Sequence, residues 1–299
     1  MPGKQSLLGI GIVLLSALLI GLAPNAAKVA YEEGADPLAV ITFRTAIGAV
    51  VIAIYLTVRQ QWPGRGLRIF RRSAVAGLAQ VLVALGLLGA VAFIDVSLAA
   101  LIFYFHPFLI AAVGHFRGDM AMSPVRLFCI VAAISGLSLV LSVSFETLDA
   151  TGIALSVVGM VAVTVLIFAV SDVSKAVGPV PANFYMTLWS VGYLLAVVIV
   201  GPLSGWVDGM SLPETSKGWT AIIGAGVTTT VGYVLFFVGA AIIGVTRAAI
   251  WTITEPLFAI LFAIALLQES LSLVQWLGVA IVIGSLLKFE TADKPPASA

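Results

Sequence analysis

Four ionisable residues interrupt the long apolar runs of this chain: Lys28, Arg44, His106 and Glu255. A charged or titratable side chain is costly in hydrocarbon, so such residues usually face a cavity or a partner and mark the path of a substrate or an ion. His106 and Glu255 each stand directly before a proline, Pro107 and Pro256. Because proline lacks an N–H group and clashes with the carbonyl four residues earlier, each proline is expected to break its helix.

The two prolines are predicted to leave the carbonyls of Phe103 and Thr252 without a helical partner. A free carbonyl beside the Glu255 carboxylate suits the ammonium group of a substrate, and Glu255 and His106 can each carry a proton. The prolines are also candidate hinges, because helices bend where proline interrupts them. A second interpretation stays open: the prolines only kink the helices for packing, and Glu255 is neutral and hydrogen-bonded.

Aromatic residues accompany these groups. On a continuous helix Trp251, Thr252 and Glu255 share one face, because residues three and four apart are neighbours. An aromatic ring beside a carboxylate suits a cationic or zwitterionic ligand with an apolar body. Trp189 and Tyr104 are further candidates inside apolar runs. Simple packing is the alternative for each of these rings.

Three polar residues are candidates for binding the rest of a ligand. Arg44 lies about two turns inside an apolar run, and Lys28 lies near the end of another. Both can attract a carboxylate, although Lys28 can also extend to the lipid headgroups. Gln80 lies at mid-depth, whereas the threonines at 228–230 are expected to bond their own helix backbone.

The surrounding sequence is that of an α-helical membrane protein. Of its 299 residues, 61% are hydrophobic and only 10% charged, whereas a soluble domain carries about 25% charged residues. Continuous apolar runs of about twenty residues favour helices over a β-barrel, whose strands alternate. We number the ten predicted spans in chain order: 6–31, 37–58, 70–94, 96–116, 124–145, 151–175, 181–203, 218–243, 245–267 and 272–289.

Charge sets the predicted orientation, because lysine and arginine collect in cytoplasmic loops. With the N-terminus inside, twelve of these residues fall on the inner side and one, Lys217, on the outer side. We therefore predict a bacterial inner-membrane protein with both termini in the cytoplasm. The net charge of +1 gives no sign of a nucleic-acid partner, and with Cys129 as the single cysteine no disulfide, metal site or cofactor is expected.

An internal repeat relates the two halves. Residues 94–107 and 243–256 match at a constant offset of 149, and both contain Val-[Ser/Thr]-x-Ala-Ala followed by the proline. Sixteen residues after each proline a serine, Ser123 or Ser272, opens a further apolar run. Since five spans is an odd number, the second copy enters the membrane inverted. The prediction is a repeat over 1–149, an inverted repeat over 150–290 with a site near the midplane, and a disordered tail over 291–299.

These features resemble the EamA domain of the drug/metabolite transporter superfamily. The resemblance rests on the [Ser/Thr]-x-Ala-Ala…Pro segment of each half, on residues 36–44 (Asp-Pro…Phe-Arg), and on the acidic residues Asp119 and Glu269 after the proline-containing spans. Within the superfamily the chain is similar to the YddG-type exporters of aromatic amino acids. The resemblance implies ten helices in a basket around a central cavity, with spans 5 and 10 to the side. His106 departs from the glutamate that the family often has.

The predicted function is a secondary transporter that exports amino acids, aromatic ones first, and related amphiphilic metabolites. A carrier for another small molecule, such as a drug, nucleotide or lipid precursor, is the alternative. A channel or an intramembrane enzyme is less favoured, because neither a ring of polar residues from several subunits nor a known catalytic pattern around the two histidines is indicated. Two fused halves complete one cavity, so a monomer that contacts membrane lipid and a small-molecule substrate is expected.

Overall fold

The structure is a computed structural model that describes residues 4–62, 66–91, 93–143, 148–203, 209–267 and 271–292. These residues form α-helices and one short 3₁₀ turn, and no strand occurs among them. The helices are α1 (Lys4–Gly21), α2 (Ala23–Glu32), α3 (Pro37–Val58), α4 (Leu67–Val91), α5 (Val96–Phe103), α6 (His106–Phe116), α7 (Pro124–Val140), α8 (Ala150–Val177), α9 (Pro179–Leu203), α10 (Ser216–Ile243), α11 (Val245–Trp251), α12 (Glu255–Leu267) and α13 (Leu273–Thr291), with the 3₁₀ turn at Thr252–Thr254.

The helices account for the predicted spans. In the described part of the chain, nine helical stretches are long and apolar enough to cross a membrane, and α7, with 17 residues, is a shorter tenth. Span 1 consists of α1 and α2, span 4 of α5 and α6, and span 9 of α11, the 3₁₀ turn and α12. The predicted all-helical membrane fold is confirmed. The acidic residue Glu269 and most of the predicted tail, 293–299, lie outside the described residues.

The serines that were predicted to open spans 5 and 10 both cap a helix. Ser123 Oγ accepts the N–H of Arg126 at the start of α7, and Ser272 Oγ accepts the N–H of Gln275 at the start of α13. The Gln275 side chain in turn accepts the N–H of Ser272. These bonds satisfy N–H groups of the first turn, which have no partner inside the helix. The helix starts therefore follow from local sequence.

Three spans are broken. The break between α5 and α6 lies just before Pro107, and the 3₁₀ turn between α11 and α12 lies just before Pro256. Both predicted breaks are present, and their action as hinges stays a prediction. A third break, at Leu22 two residues before Pro24, separates α1 from α2 and was not predicted. The broken spans bring irregular backbone to the middle of the membrane, where it needs protein neighbours.

Helices of the first half pack on helices of the second half. The most extensive contacts join α4 to α8, α1 to α10 and α7 to α13. Where α7 meets α13 the backbones approach closely, since a Cβ atom added to Gly136 would lie 2.9 Å from the Gly278 carbonyl oxygen. Spans 5 and 10 contact each other and, less extensively, spans 4 and 9. The helix α9 contacts α3, α4 and α10, and α3 also contacts α10.

Candidate functional site

The broken spans 4 and 9 meet through a hydrogen bond. Tyr104 Oη donates to Glu255 Oε1 at 3.1 Å. The ring of His106 lies 5.9 Å from that of Tyr104, measured between centroids. Span 1 also comes close, because a Cβ atom added to Gly21 would lie 2.9 Å from the Glu255 carbonyl oxygen. Tyr104 therefore contacts both of the ionisable residues that were predicted at the two breaks.

His106 is buried, and its ring is fixed by a backbone hydrogen bond. Nδ1 lies 3.0 Å from the Phe103 carbonyl oxygen. Since a carbonyl oxygen only accepts, Nδ1 carries a proton and donates it. Thr252 Oγ1 lies 3.5 Å from Nε2, but it is 2.7 Å from the Ala249 carbonyl oxygen, to which it donates its single proton. In the neutral ring, Nε2 is therefore an acceptor, and the nearby Thr252 hydroxyl does not donate to it because its proton is bonded to the Ala249 carbonyl.

Both carbonyls that were predicted to be free accept a hydrogen bond in the structure. The Phe103 carbonyl accepts from His106 Nδ1, and the Thr252 carbonyl accepts the N–H of Glu255, three residues further on. Each proline removes the N–H that would bond the carbonyl four residues earlier. A donor three residues after the carbonyl replaces it, a side-chain donor at Phe103 and a backbone N–H, as in a 3₁₀ turn, at Thr252. The prediction of a free carbonyl as the seat of an ammonium group is wrong. The acceptors that the breaks offer are the Glu255 carboxylate and His106 Nε2.

A cavity of about 40 Å³ lies among α3, α4, α9 and α10. Such a volume has space for about three water molecules. Polar side chains from all four helices line it, among them Arg44, Gln80, Asn183, Thr229 and Tyr233. Arg44 and Gln80 were predicted as site residues, and the structure brings them to one cavity.

Several polar groups in the cavity wall lack partners. Arg44 forms no hydrogen bond or ion pair with any residue that the structure describes. The buried oxygens Asn183 Oδ1 and Thr229 Oγ1 have no hydrogen-bond partner there either. A buried polar atom without a partner costs about 1–3 kcal/mol. The wall therefore offers a cation and two oxygens to a ligand or to water.

Tyr233 connects this cavity with the broken spans. It lines the cavity, and both Arg44 and Glu255 lie within electrostatic range of its hydroxyl. Glu255 is also within electrostatic range of Tyr104, to which it is hydrogen-bonded. Arg44, Tyr233, Glu255 and Tyr104 therefore belong to one polar region that extends from α3 to the breaks in spans 4 and 9.

Trp251 points away from this region. Its Nε1 donates to Glu290 Oε1 at 2.8 Å, and Arg247 donates to the same carboxylate. The predicted face shared with Glu255 assumes a continuous α-helix. A 3₁₀ turn advances by about 120° per residue instead of about 100°, so three such residues rotate α11 relative to α12 by about 60°. Trp251 consequently ties span 9 to span 10 and does not line the cavity.

Two other predicted residues lie outside the cavity wall. Trp189 Nε1 donates to the Phe70 carbonyl oxygen at 2.8 Å and its ring stacks on that of Phe70, so it packs α9 against α4. Lys28 is exposed on α2. By contrast, Gln80 accepts a hydrogen bond from Ser190 Oγ inside the cavity.

The polar cavity residues that the sequence interpretation did not select include Asn183 and Thr229, whose side-chain oxygens lack a partner among the described residues. Asn183 donates to the Pro179 carbonyl through Nδ2, which leaves only its oxygen unpaired. Thr228 bonds its own helix backbone as predicted, but Thr229 does not. An asparagine near the start of predicted span 7 was the available signal, because amides are costly in hydrocarbon.

Comparison with known proteins agrees with this architecture. The chain is similar to an uncharacterized transporter of Archaeoglobus fulgidus, with 25% identity over 283 residues that cover 93% of this chain and 95% of the relative. A solved crystal structure of a protein has a similar fold, with a TM-score of 0.78 and 14% identity over 96% of this chain and 99% of the other.

The sequence model of the EamA-like transporter family matches the chain twice, over residues 7–142 and over residues 150–289. The two matches together extend over most of the chain and include every helix that borders the cavity. The chain therefore belongs to the EamA-like transporter family of the drug/metabolite transporter superfamily and is a multi-pass membrane transporter.

Proposed function

We propose that this transporter is a secondary carrier that exports amino acids, aromatic ones first, and related amphiphilic metabolites by alternating access. The observation that carries the proposal is that the unpaired Arg44 guanidinium and the unpaired Asn183 Oδ1 line the same cavity. A guanidinium binds a carboxylate, and an amide oxygen accepts from an ammonium group. The cavity wall therefore carries a partner for a carboxylate and a partner for an ammonium group.

The aromatic preference is supported by the residues beside this cavity. Tyr233 lines it, and Tyr104 lies next to Glu255 at the breaks. Tyrosine rings give an aromatic side chain of a substrate flat partners, and the carboxylate of Glu255 gives its amino group a second acceptor. The similarity to YddG-type exporters points to the same substrate class.

Alternating access is supported by the size of the cavity and by the packing of the halves. A cavity of about 40 Å³ has space for about three water molecules, less than an amino acid needs, so the helices around it have to move apart to admit a substrate. In the predicted repeat, span 3 corresponds to span 8, and span 1 corresponds to span 6. Span 3 packs on span 6, and span 8 packs on span 1, so each half makes the same contact with the other half. Two equivalent units of this kind can rock against each other and open the site to either side. Because one chain holds both units, a monomer suffices.

The test is counterflow of labelled phenylalanine in proteoliposomes. We expect saturable uptake that unlabelled aromatic amino acids compete away. Arg44→Gln should raise the half-saturation concentration at least about tenfold, because a hydrogen bond to a charged group contributes about 1.5–3 kcal/mol. Arg44→Lys should retain part of the affinity. Arg59→Gln is the matched control, since it removes one exposed cation at the end of the same helix.

Modified competitors separate the two ends of the site. Phenylalanine methyl ester lacks the carboxylate, so its competition should be weak in the wild type and unchanged by Arg44→Gln. N-acetylphenylalanine lacks the positive charge of the ammonium group and keeps a single, bulkier amide N–H in place of three donors, so it should compete weakly. Strong competition by organic anions without an ammonium group would favour a carrier for another metabolite. Identical kinetics of the wild type and Arg44→Gln would contradict the site.

A further inference from the structure

The helix α4 begins with three arginines on its outward face, Arg68, Arg71 and Arg72. They occupy the first two turns of α4, and all three are exposed. Within the described residues none of them has an ion pair or a hydrogen bond from its side chain. Because α4 is an apolar span, its first turns lie at the level of the lipid headgroups.

The same face of α4 continues with exposed apolar side chains. Val75, Leu78 and Leu82 follow the arginines at helical spacing and are 55%, 45% and 38% exposed. From Arg72 to Leu82 the helix rises about 15 Å, which matches the hydrocarbon of one leaflet. The outward face therefore changes from cationic to apolar over the length of one phospholipid.

Several cations at other span ends are neutralised within the protein. Arg117 and Lys175 both pair with Asp172, at 2.8 and 3.1 Å. Lys217, at the start of the repeat-related helix α10, pairs with Glu33 at 2.9 Å. The three arginines of α4 lie within two turns of each other without such a carboxylate, and their mutual repulsion favours an external anion.

We propose that the outward face of α4 binds an anionic phospholipid, with the phosphate on Arg68, Arg71 and Arg72 and an acyl chain along Val75, Leu78 and Leu82. Guanidinium groups bind phosphate oxygens in pairs of parallel hydrogen bonds, and juxtamembrane arginines attract anionic headgroups. The opposite face of α4 packs on α8 and α9, and its Gln80 lines the cavity. The bound lipid thus contacts a helix of the transport site. The proposal does not depend on which substrate the carrier exports.

Native mass spectrometry of the detergent-purified protein tests this site. Phosphatidylglycerol and phosphatidylcholine of identical chains are titrated against the wild type and the variant Arg68→Gln/Arg71→Gln/Arg72→Gln. We expect phosphatidylglycerol to bind the wild type more tightly than phosphatidylcholine, and the variant to lose this preference by roughly tenfold or more. The variant Lys4→Gln/Lys175→Gln/Lys288→Gln removes the same number of positive charges from other exposed positions and should keep the preference for phosphatidylglycerol.

Two further measurements separate the possible outcomes. The variant Arg68→Lys/Arg71→Lys/Arg72→Lys keeps the charge without the forked donors, and we expect intermediate affinity. Glycerol 3-phosphate should not displace the lipid; displacement would assign the arginines to a soluble phosphate and overturn the proposal. Equal binding of both lipids by the wild type would also overturn it. If the glutamine triple variant does not fold, each single substitution should still lower the preference, and no effect in any of them would contradict the site.

Discussion

Arg44 and Glu255 are two ionisable residues of the central polar region, and they are held differently. Glu255 accepts a hydrogen bond from Tyr104, whereas Arg44 has no bonded partner in the described part of the chain. An arginine at the centre of a span costs about 2.5–3.5 kcal/mol on insertion scales. This difference supports the proposal that Arg44 binds a ligand, whereas Glu255 is positioned by the hydrogen bond from Tyr104.

The Tyr104–Glu255 hydrogen bond leads to a prediction at the residue scale. Tyr104→Phe removes the donor to a partly buried carboxyl oxygen, so the free energy of unfolding should fall by about 0.5–1.5 kcal/mol. Thermal unfolding in detergent measures the change. Tyr193→Phe is the control, because its hydroxyl makes no hydrogen bond with the described residues and its ring stacks on Trp189 in both forms. Equal stability of the two variants would show that the Tyr104 bond does not hold Glu255.

The polar residues inside the spans could be identified from the sequence, but the direction in which each side chain points could not. Arg44, Gln80 and Glu255 stand out because polar groups are rare in apolar runs. Whether a side chain faces the cavity depends on helices that are distant in sequence. Asn183 lines the cavity because α9 packs on α3 and α4, and Trp189, six residues later, faces Phe70 on α4 instead.

At the scale of elements, the spans follow from local patterns, whereas their interruptions follow only in part. Span 2 was predicted over 37–58 from its apolar length, and these are the bounds of α3. The structure adds that Asp36 caps this helix by accepting the N–H of Ala39. The breaks before Pro107 and Pro256 were predicted from the chemistry of proline. The rotation of Trp251 away from Glu255 was not, since it results from how the chain relaxes into a 3₁₀ turn before Pro256.

The break in span 9 leads to a prediction at this scale. Pro256→Ala restores an N–H group that can bond the Thr252 carbonyl and extend α12 through the 3₁₀ turn. A straighter span 9 should lower the maximal rate of counterflow several-fold, while the half-saturation concentration stays close to that of the wild type. Pro37→Ala is the matched control, because Pro37 is the first residue of α3, where a missing N–H group costs nothing. Equal maximal rates in the two variants would exclude a hinge at Pro256.

At the scale of the whole molecule, the two halves are tied together on the predicted outer side. Glu33, after α2, accepts hydrogen bonds from Thr215 Oγ1 and from Lys217 Nζ, the latter at 2.9 Å. The Glu33 carbonyl oxygen accepts the N–H of Glu214, and the N–H of Asp36 donates to a carbonyl of the same loop. These bonds join the connection between α2 and α3 to the residues that precede and begin α10. In the proposed alternating-access cycle, we expect opening of the cavity towards this side to break them.

The protonation of Glu33 should therefore control this opening. Hydrogen bonds from Thr215 and then from Lys217 hold the pKa of Glu33 below its usual value of about 4.3. A carboxyl group with a lowered folded-state pKa stabilises the closed arrangement above its usual pKa and loses that effect as the pH falls through the lowered value. Closure on the outer side should be intact at neutral pH and weaken below about pH 4. At neutral pH, Glu33→Gln imitates the protonated state.

The rate at which a thiol in the cavity wall is labelled from outside measures this closure. The chain has one cysteine, Cys129, which is buried, so Cys129→Ala gives a background for a single reporter, Thr45→Cys, in the cavity wall. A membrane-impermeant maleimide added from the predicted outer side should label the reporter several-fold faster when Glu33→Gln is present. Glu32→Gln is the control, because Glu32 is the exposed neighbouring carboxylate and forms no hydrogen bond from its side chain with the described residues. Equal labelling rates in the Glu33 and Glu32 variants would mean that closure is held by helix packing, such as that of α3 on α10, and not by the charge of Glu33.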